Sequence, residues 1–156
     1  MHLHTATMAE AKENPIIFDD MIEVEALNPD GKKFDKVTRL QCRSETYEVN
    51  MLIDINSDLF PCRPHDKLMV ALAKTLNLDG RPDTGVYNQT SEPTLLDDYD
   101  YGMHGTVFHY EHKKDQDVSV YISFGGLLCK MDGPQRHLSN IEQDQKLYLL
   151  MRRAKS

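Results

Sequence analysis

The sequence predicts an all-β protein, either a small antiparallel barrel or a sandwich, and three observations support that prediction. Val118 to Phe124 alternates apolar and polar residues with a period of two, which is typical of a strand with one buried face. Gly125 and Gly126 interrupt a run that becomes apolar again at Leu127. We interpret this pair as a bend in one long strand, which lets a sheet curl into a closed barrel. Turn signals separate roughly seven or eight such short strands along the chain.

Composition narrows the classes of protein that fit. Hydrophobic residues make up 40% and charged residues 28% of the 156 positions, which is typical of one globular domain with a real core. The net charge of -7 argues against a free-standing, high-affinity nucleic-acid binder, whose domain is usually basic. Cys42, Cys62 and Cys129 form no CxxC pair, so we expect reduced thiols in an intracellular compartment. No apolar run approaches the ~20 residues that span a bilayer, so we expect no membrane contact.

Pro15 marks the predicted start of the folded domain, which we place over residues 15–156. Residues 1–14 are small and polar without periodicity, so we expect a disordered N-terminal extension. Residues 28–31, with the sequence Asn-Pro-Asp-Gly, are a strong turn signal between the first two strands. The predicted strands of this half cover residues 17–24, 34–43 and 47–55.

The middle of the chain allows more than one structure. Leu68 to Leu76 fits both a helix and a strand, and periodicity with its alanines and lysines leans towards the helix. Residues 77–98 contain glycines, prolines and few large apolar side chains, which predicts a long loop with a short hairpin near Val86-Tyr87. Asp97, Asp98 and Asp100 could bind magnesium or act as acid and base, but a solvated loop end explains them better.

Strands resume from Tyr99 to the C-terminus. In a strand over residues 103–112, His104 and His112 share a face about 26 Å apart, while His109 points the other way. We therefore predict no metal site. The sequence also lacks a phosphate-binding glycine loop, a G-x-S-x-G elbow, an H-E-x-x-H motif and a Cys–His arrangement. We expect no catalytic residue and no cofactor, only a small β-barrel that binds a partner.

Four blocks of sequence resemble the small OB-type subunit, the eighth in the usual ordering, that the three eukaryotic nuclear RNA polymerases share. They come in the family's order and cover roughly residue 16 to the C-terminus. The blocks are NPDGKKFDKVTRL at 28–40, DYDY at 98–101 with Met103 and Gly105, YISFGGLL at 121–128, and LYLLMRR at 147–153. Together they make a specific signal, although each block alone would be weak.

The resemblance implies an eight-stranded antiparallel barrel of OB type. It implies a strand at residues 67–76 in place of the helix, and a poorly ordered loop at 77–97. It further implies a non-catalytic structural subunit of DNA-directed RNA polymerases I, II and III, located in the nucleus and docked mainly on the largest subunit. Leu127 and Leu128 then become candidates for core or partner contact.

The family is also credited with weak, non-specific binding of single-stranded nucleic acid, which maps here onto residues 28–51. The candidate phosphate contacts and one stacking ring are Lys32, Lys33, Phe34, Lys36, Arg39 and Arg43. The alternative is that these are an ordinary solvated strand face, which the acidic net charge supports. A different function class, an autonomous single-strand-binding OB protein, stays open. An enzymatic or small-molecule-binding barrel would need a convergent polar pocket, which the sequence does not indicate.

Overall fold

Eight β-strands close into one antiparallel barrel in the computed structural model, which describes residues 14–82 and 93–154. The strands are β1 (Ile16–Leu27), β2 (Val37–Ser44), β3 (Asn50–Asn56), β4 (Lys67–Ala73), β5 (Tyr101–His112), β6 (Asp117–Phe124), β7 (Leu127–Pro134) and β8 (Lys146–Arg153). Their order around the barrel is β1-β2-β3-β7-β6-β5-β8-β4. The described residues also contain one four-residue helix, α1 (Gln135–Leu138), and two 3₁₀ turns, Leu95–Asp98 and Lys114–Gln116. The predicted eight-stranded antiparallel barrel is confirmed.

Inward-facing side chains from all eight strands fill the barrel. On β6, Val118, Val120 and Ile122 are completely buried, whereas Tyr121 lies partly exposed on the outer wall, as the alternation predicts. Burial of each such aliphatic side chain contributes about 1.5–3 kcal/mol before the entropic cost of ordering it. The apolar positions of the sequence therefore account for a packed interior.

The predicted bend at Gly125 and Gly126 is wrong, because the chain reverses there instead of continuing. β7 pairs antiparallel with β6 along its whole length, starting with Phe124 opposite Leu127. Gly125 has φ +65° and Gly126 has φ +105°, and two positive φ values are what a two-residue type I′ hairpin turn requires. A bend and a tight reversal share the same apolar–Gly-Gly–apolar pattern, so only strand pairing distinguishes them.

β4 is a strand, as the resemblance implies and contrary to the periodicity. Leu68, Val70 and Leu72 face the interior, but Ala71 and Ala73 on the other face are also completely buried. A strand that is covered on both faces reads as a continuous apolar run. The sequence pattern of this segment resembles that of a helix because both faces of the strand are buried.

The mid-chain excursion provides the outer cover for β4. Its two ends are joined, because the Leu95 N–H donates to the Leu76 carbonyl at 2.8 Å. Leu95 packs with Ala71, Ala73 and Leu150 in a second apolar cluster outside the barrel. Residues 77–82 and 93–94 contain no helix or strand. The predicted hairpin near residues 86–87 lies outside the described residues, as do positions 1–13 of the predicted extension.

All three cysteines are free, and two of them, Cys42 and Cys129, are buried. Burial raises the pKa of the Cys129 thiol to about 12, and it raises the pKa of Cys62 to about 11. Both thiols are therefore protonated and unreactive near neutral pH. Among the described residues, no helix has the length and hydrophobicity needed to cross a membrane.

Candidate interaction surface: the early loop and the β6–β7 hairpin

The early loop, residues 28–36, joins β1 to β2 and carries most of the predicted basic residues. Its base is held firmly: the Asn28 N–H donates to the Arg39 carbonyl at 2.7 Å, and the Arg39 N–H donates to Asn28 Oδ1 at 3.0 Å. Its tip is open, and the Phe34 ring is 64% exposed. The tip residues exposed to solvent are Lys32, Lys33, Phe34, Asp35 and Lys36. The structure thus brings three predicted lysines and the predicted ring together.

Arg39 is not available to a ligand in the same way. Its Nε lies 2.7 Å from Asp54 Oδ1 and its second terminal nitrogen lies 3.1 Å from Asp54 Oδ2, which is a bidentate pair across β2 and β3. Asp30 Oδ2 adds a longer contact at 3.7 Å. The hydrogen bond to Asp54 raises the pKa of the Arg39 guanidinium above its usual value. The side chain of Arg39 therefore links β2 to β3 in the wall of the barrel.

Asp54 joins the early loop to the β6–β7 hairpin. Its side chain is only 8% exposed, and Oδ2 also accepts the Leu128 N–H at 3.0 Å. We call Arg39, Asp54 and the Leu128 amide the wall node. Sequence reasoning missed this role, because Arg39 and Asp54 are 15 residues apart and become neighbours only through the β2–β3 register. Once the β2–β3 register is known, the signal for this ion pair is the placement of opposite charges directly across the two strands.

The two predicted leucines separate into different environments. Leu127 is half-buried and packs against the core, whereas Leu128 is 40% exposed on the outer wall. Leu127 thus belongs to the packing of the barrel. Leu128 is available to a partner.

Arg43 lies apart from the early loop, on the outer face of β2. Its Nε is 3.8 Å from Glu25 Oε2, and its side chain is 69% exposed. A shallow groove of about 520 Å³ runs along this face of β1, β2, β3 and β7, and its charged lining residues are Glu25, Asp30 and Asp132. Each of these carboxylates lies near a cation, Arg43, Arg39 or Lys130, so the path carries little net positive charge to attract a phosphate backbone. The structure therefore does not place all six predicted residues on one continuous basic surface.

A second exposed surface lies on the outer wall of β5, β6 and β7. The β5–β6 ladder shifts by one between Val107 and His109, so Phe108 is the extra residue of a β-bulge. Phe108 and His109 are both exposed, whereas Tyr110 packs against the core. A bulge of this kind redirects side chains locally. It places two consecutive rings on the outside of the barrel.

The bulge also makes the predicted faces of the histidines wrong. His109 contacts Tyr121 on the outer wall, with ring centroids 5.4 Å apart, and His112 contacts Tyr110, on the core side. One inserted residue shifts the alternation, so His104 and His109 share the outer face and His112 does not. In residues 14–82 and 93–154, no group of three or more His, Cys, Asp or Glu side chains is arranged to hold a metal ion.

The second and fourth sequence blocks meet at one end of the barrel. Tyr101 accepts the Asn56 N–H at 3.0 Å and stacks on Phe60 at 5.4 Å between ring centroids. The Arg153 guanidinium lies 4.7 Å above the Phe60 ring, donates to the Pro61 carbonyl and pairs with a nearby carboxylate, that of Asp66. These contacts hold the β3–β4 connection against the barrel.

The geometry of residues 14–82 and 93–154 defines a class of protein: a closed antiparallel β-barrel with an apolar interior and with exposed side chains on its outer wall and loops. This chain belongs to the RNA polymerase Rpb8 family, whose family profile matches residues 19–153. The resemblance drawn from the four blocks is confirmed.

Relatives match over nearly their whole length. Subunit 8B of DNA-directed RNA polymerases II, IV and V of Arabidopsis thaliana is 46% identical over 142 residues, which cover 90% of this chain and 97% of the relative. Subunit rpabc3 of RNA polymerases I, II and III of Dictyostelium discoideum is 44% identical, covering 89% and 98%. The RPABC3 subunit of Saccharomyces cerevisiae is 37% identical, covering 88% and 97%.

Proposed function

We propose that this chain is a structural, non-catalytic subunit of DNA-directed RNA polymerases I, II and III, and that it supports their assembly for DNA-templated transcription in the nucleus. The observation that carries the proposal is the match to relatives named as subunits of DNA-directed RNA polymerases, two of them of polymerases I, II and III, with at least 37% identity over 88–90% of this chain.

The roles of three polar side chains support a structural function. Tyr101 and Arg153 hold the end of the barrel, and Asp54 holds the wall node. All three side chains make contacts within the fold. We propose that the outer wall docks on the largest polymerase subunit, as the resemblance implies.

Weak, non-specific contact with single-stranded nucleic acid is a second part of the proposal. Lys32, Lys33 and Lys36 are the available cations, with Phe34 as one stacking ring. Arg39 is paired and the neighbouring groove is acidic, so the affinity should be low. Neutralising about three phosphates gives a slope of log K on log salt of only about -2 on single strands.

Affinity purification of the tagged chain from nuclear extract tests the assembly role. We expect polymerase subunits, including the largest, in stoichiometric amounts by quantitative mass spectrometry, and a nuclear signal in imaging. A tagged chain carrying Gly105→Ala is the matched control, because the added Cβ would lie 2.0 Å from the Ser123 carbonyl oxygen and should prevent folding. Recovery of the wild-type chain without polymerase subunits would refute the proposal.

Fluorescence anisotropy with labelled oligo(dT) tests the alternative of an autonomous single-strand-binding protein. We expect dissociation constants above the micromolar range at physiological salt. Sub-micromolar affinity with a steep salt slope would favour the alternative instead.

A further inference from the structure

We propose that the outer wall of β5, β6 and β7 is a docking site for a polypeptide segment that carries an arginine beside an apolar side chain. The site, which we call the aromatic face, consists of Phe108, His109, Tyr121 and Leu128. The inference rests on the proposed function, because it names the surface and the chemistry through which the chain would meet a polymerase partner.

The aromatic face brings exposed apolar side chains of three neighbouring strands onto one wall. Phe108 is 47% exposed and Leu128 is 40% exposed. Tyr121 is on the middle strand, β6: its ring centroid is 6.0 Å from that of Phe108, and Leu128 on β7 pairs with Ser123, two residues from Tyr121 on the same face of β6. Single exposed apolar residues are ordinary, but contiguous ones mark interaction sites. Rings held on a rigid sheet also lose little entropy on binding.

The bulge is what creates the face. Without the extra residue, regular alternation would turn either Phe108 or His109 towards the interior. With it, His109 stays opposite Tyr121 while Phe108 is also exposed. The bulge lies against the segment before β8, because the Val107 N–H donates to the Gln145 carbonyl at 2.8 Å. The rings therefore sit on a fixed backbone.

Charge around the face favours a cationic partner. Two exposed carboxylates flank the rings: Glu111, two residues beyond His109 on β5, and Asp144, whose N–H donates to the Val107 carbonyl at 2.7 Å. Glu111 Oε2 lies 3.8 Å from His109 Nε2, and that histidine is charged only when it is protonated. An arginine can stack on an aromatic ring while its fork donates to a carboxylate, which a lysine does less well.

Two lysines beside the Tyr121 ring share one carboxylate, which weakens the case for a nucleic-acid ligand at this face. Lys130 Nζ lies 5.6 Å from the Tyr121 centroid, and it also lies 3.6 Å from Asp132 Oδ2. Lys113 Nζ lies 3.9 Å from the same carboxyl group. The exposed Lys146 is on the neighbouring strand β8, opposite Thr106, and is not one of the four residues of the face.

Substitutions on the full chain test the aromatic face. We expect Phe108→Ala to lower polymerase co-purification at least about tenfold, as truncation of a binding hot spot does. The matched control is Leu59→Ala, which removes a more exposed apolar side chain, 70% against 47%, and should leave recovery unchanged. Glu111→Gln with Asp144→Asn should lower recovery several-fold and weaken its dependence on salt; asparagine suits the φ of +69° at position 144.

The outcomes separate this inference from the proposed function. If the wild-type chain recovers no polymerase, the proposed function fails. If the wild-type and Phe108→Ala chains recover polymerase equally, only the docking site is refuted. Circular dichroism melting shows whether the variant remains folded.

Photo-crosslinking provides a result that does not depend on the stability of a variant. Benzoylphenylalanine at position 108 in the assembled complex should form an adduct with a polymerase polypeptide, mapped by mass spectrometry next to an arginine. The same probe at position 34 should not form this adduct. A nuclease-sensitive adduct at 108, or the absence of any adduct in the intact complex, would overturn the proposal.

Discussion

The wall node and the tip of the early loop lie close together, yet one is part of the fold and the other is available to a ligand. In the wall node, Arg39 is bound by both oxygens of Asp54, which is 8% exposed. At the tip, Lys32, Lys33 and Phe34 have exposed side chains, and the Lys32 N–H donates to Asp30 Oδ1 at 3.1 Å. The difference shows that basic residues within one sequence block can have opposite roles. The two roles differ because strand pairing places a carboxylate opposite Arg39, whereas the lysines of the tip are in a loop.

The largest expected effect comes from the turn beside the wall node. Gly125→Val with Gly126→Val places β-branched residues at φ +65° and +105°, which should destabilise the protein by about 3 kcal/mol or more. Urea denaturation measures the change. Gly125→Asn is the matched control, because asparagine adopts a positive φ in type I′ turns. Wild-type stability of the double valine variant would show that the turn does not need glycine.

Removing the carboxylate of the wall node should have the next largest effect. Asp54→Ala leaves Arg39 and the Leu128 amide without their acceptor, which should cost about 2–3 kcal/mol, less than for a fully buried pair because Arg39 is 33% exposed. Urea midpoints test this, and Asp35→Ala on the exposed loop should stay within about 0.5 kcal/mol of the wild type. A double-mutant cycle with Arg39→Ala that gave no coupling energy would contradict the bidentate pair as a stabilising contact.

At the tip, the expected effect is on binding and not on stability. Lys32→Ala, Lys33→Ala and Phe34→Ala together should leave the free energy of unfolding within about 0.5 kcal/mol. They should weaken oligo(dT) binding about tenfold and reduce the salt slope by about 1.4, the contribution of two phosphate contacts. Anisotropy titrations across a salt series measure both quantities. Unchanged binding would remove the tip from the nucleic-acid proposal.

Arg43 should show the smallest effect. It is exposed, and it pairs with Glu25 at 3.8 Å, so Arg43→Ala should change stability by less than about 0.5 kcal/mol. Oligo(dT) affinity should also change little, because Glu25 already offsets the charge. A loss as large as that of the tip variant would mean that the strand face binds nucleic acid together with the loop.

Sequence reasoning succeeded where local pattern and tertiary environment agree. The alternation at Val118, Val120 and Ile122 predicts a strand with one buried face, and all three side chains are completely buried. It failed where a covering element or an inserted residue changes the environment. Leu95 covers Ala73, which hides the period of β4, and the bulge at Phe108 shifts the faces of β5.

The sequence by itself determined that the chain is all-β, which family it belongs to, and which face of a regular strand such as β6 is buried, because these depend on periodicity and on residue order. Only the tertiary structure decided that Gly125 and Gly126 reverse the chain, that Arg39 forms an ion pair with Asp54, and that Phe108 and Tyr121 lie together on one outer face. Each of these depends on the register between strands, and register is a property of the closed barrel that no single stretch of sequence contains.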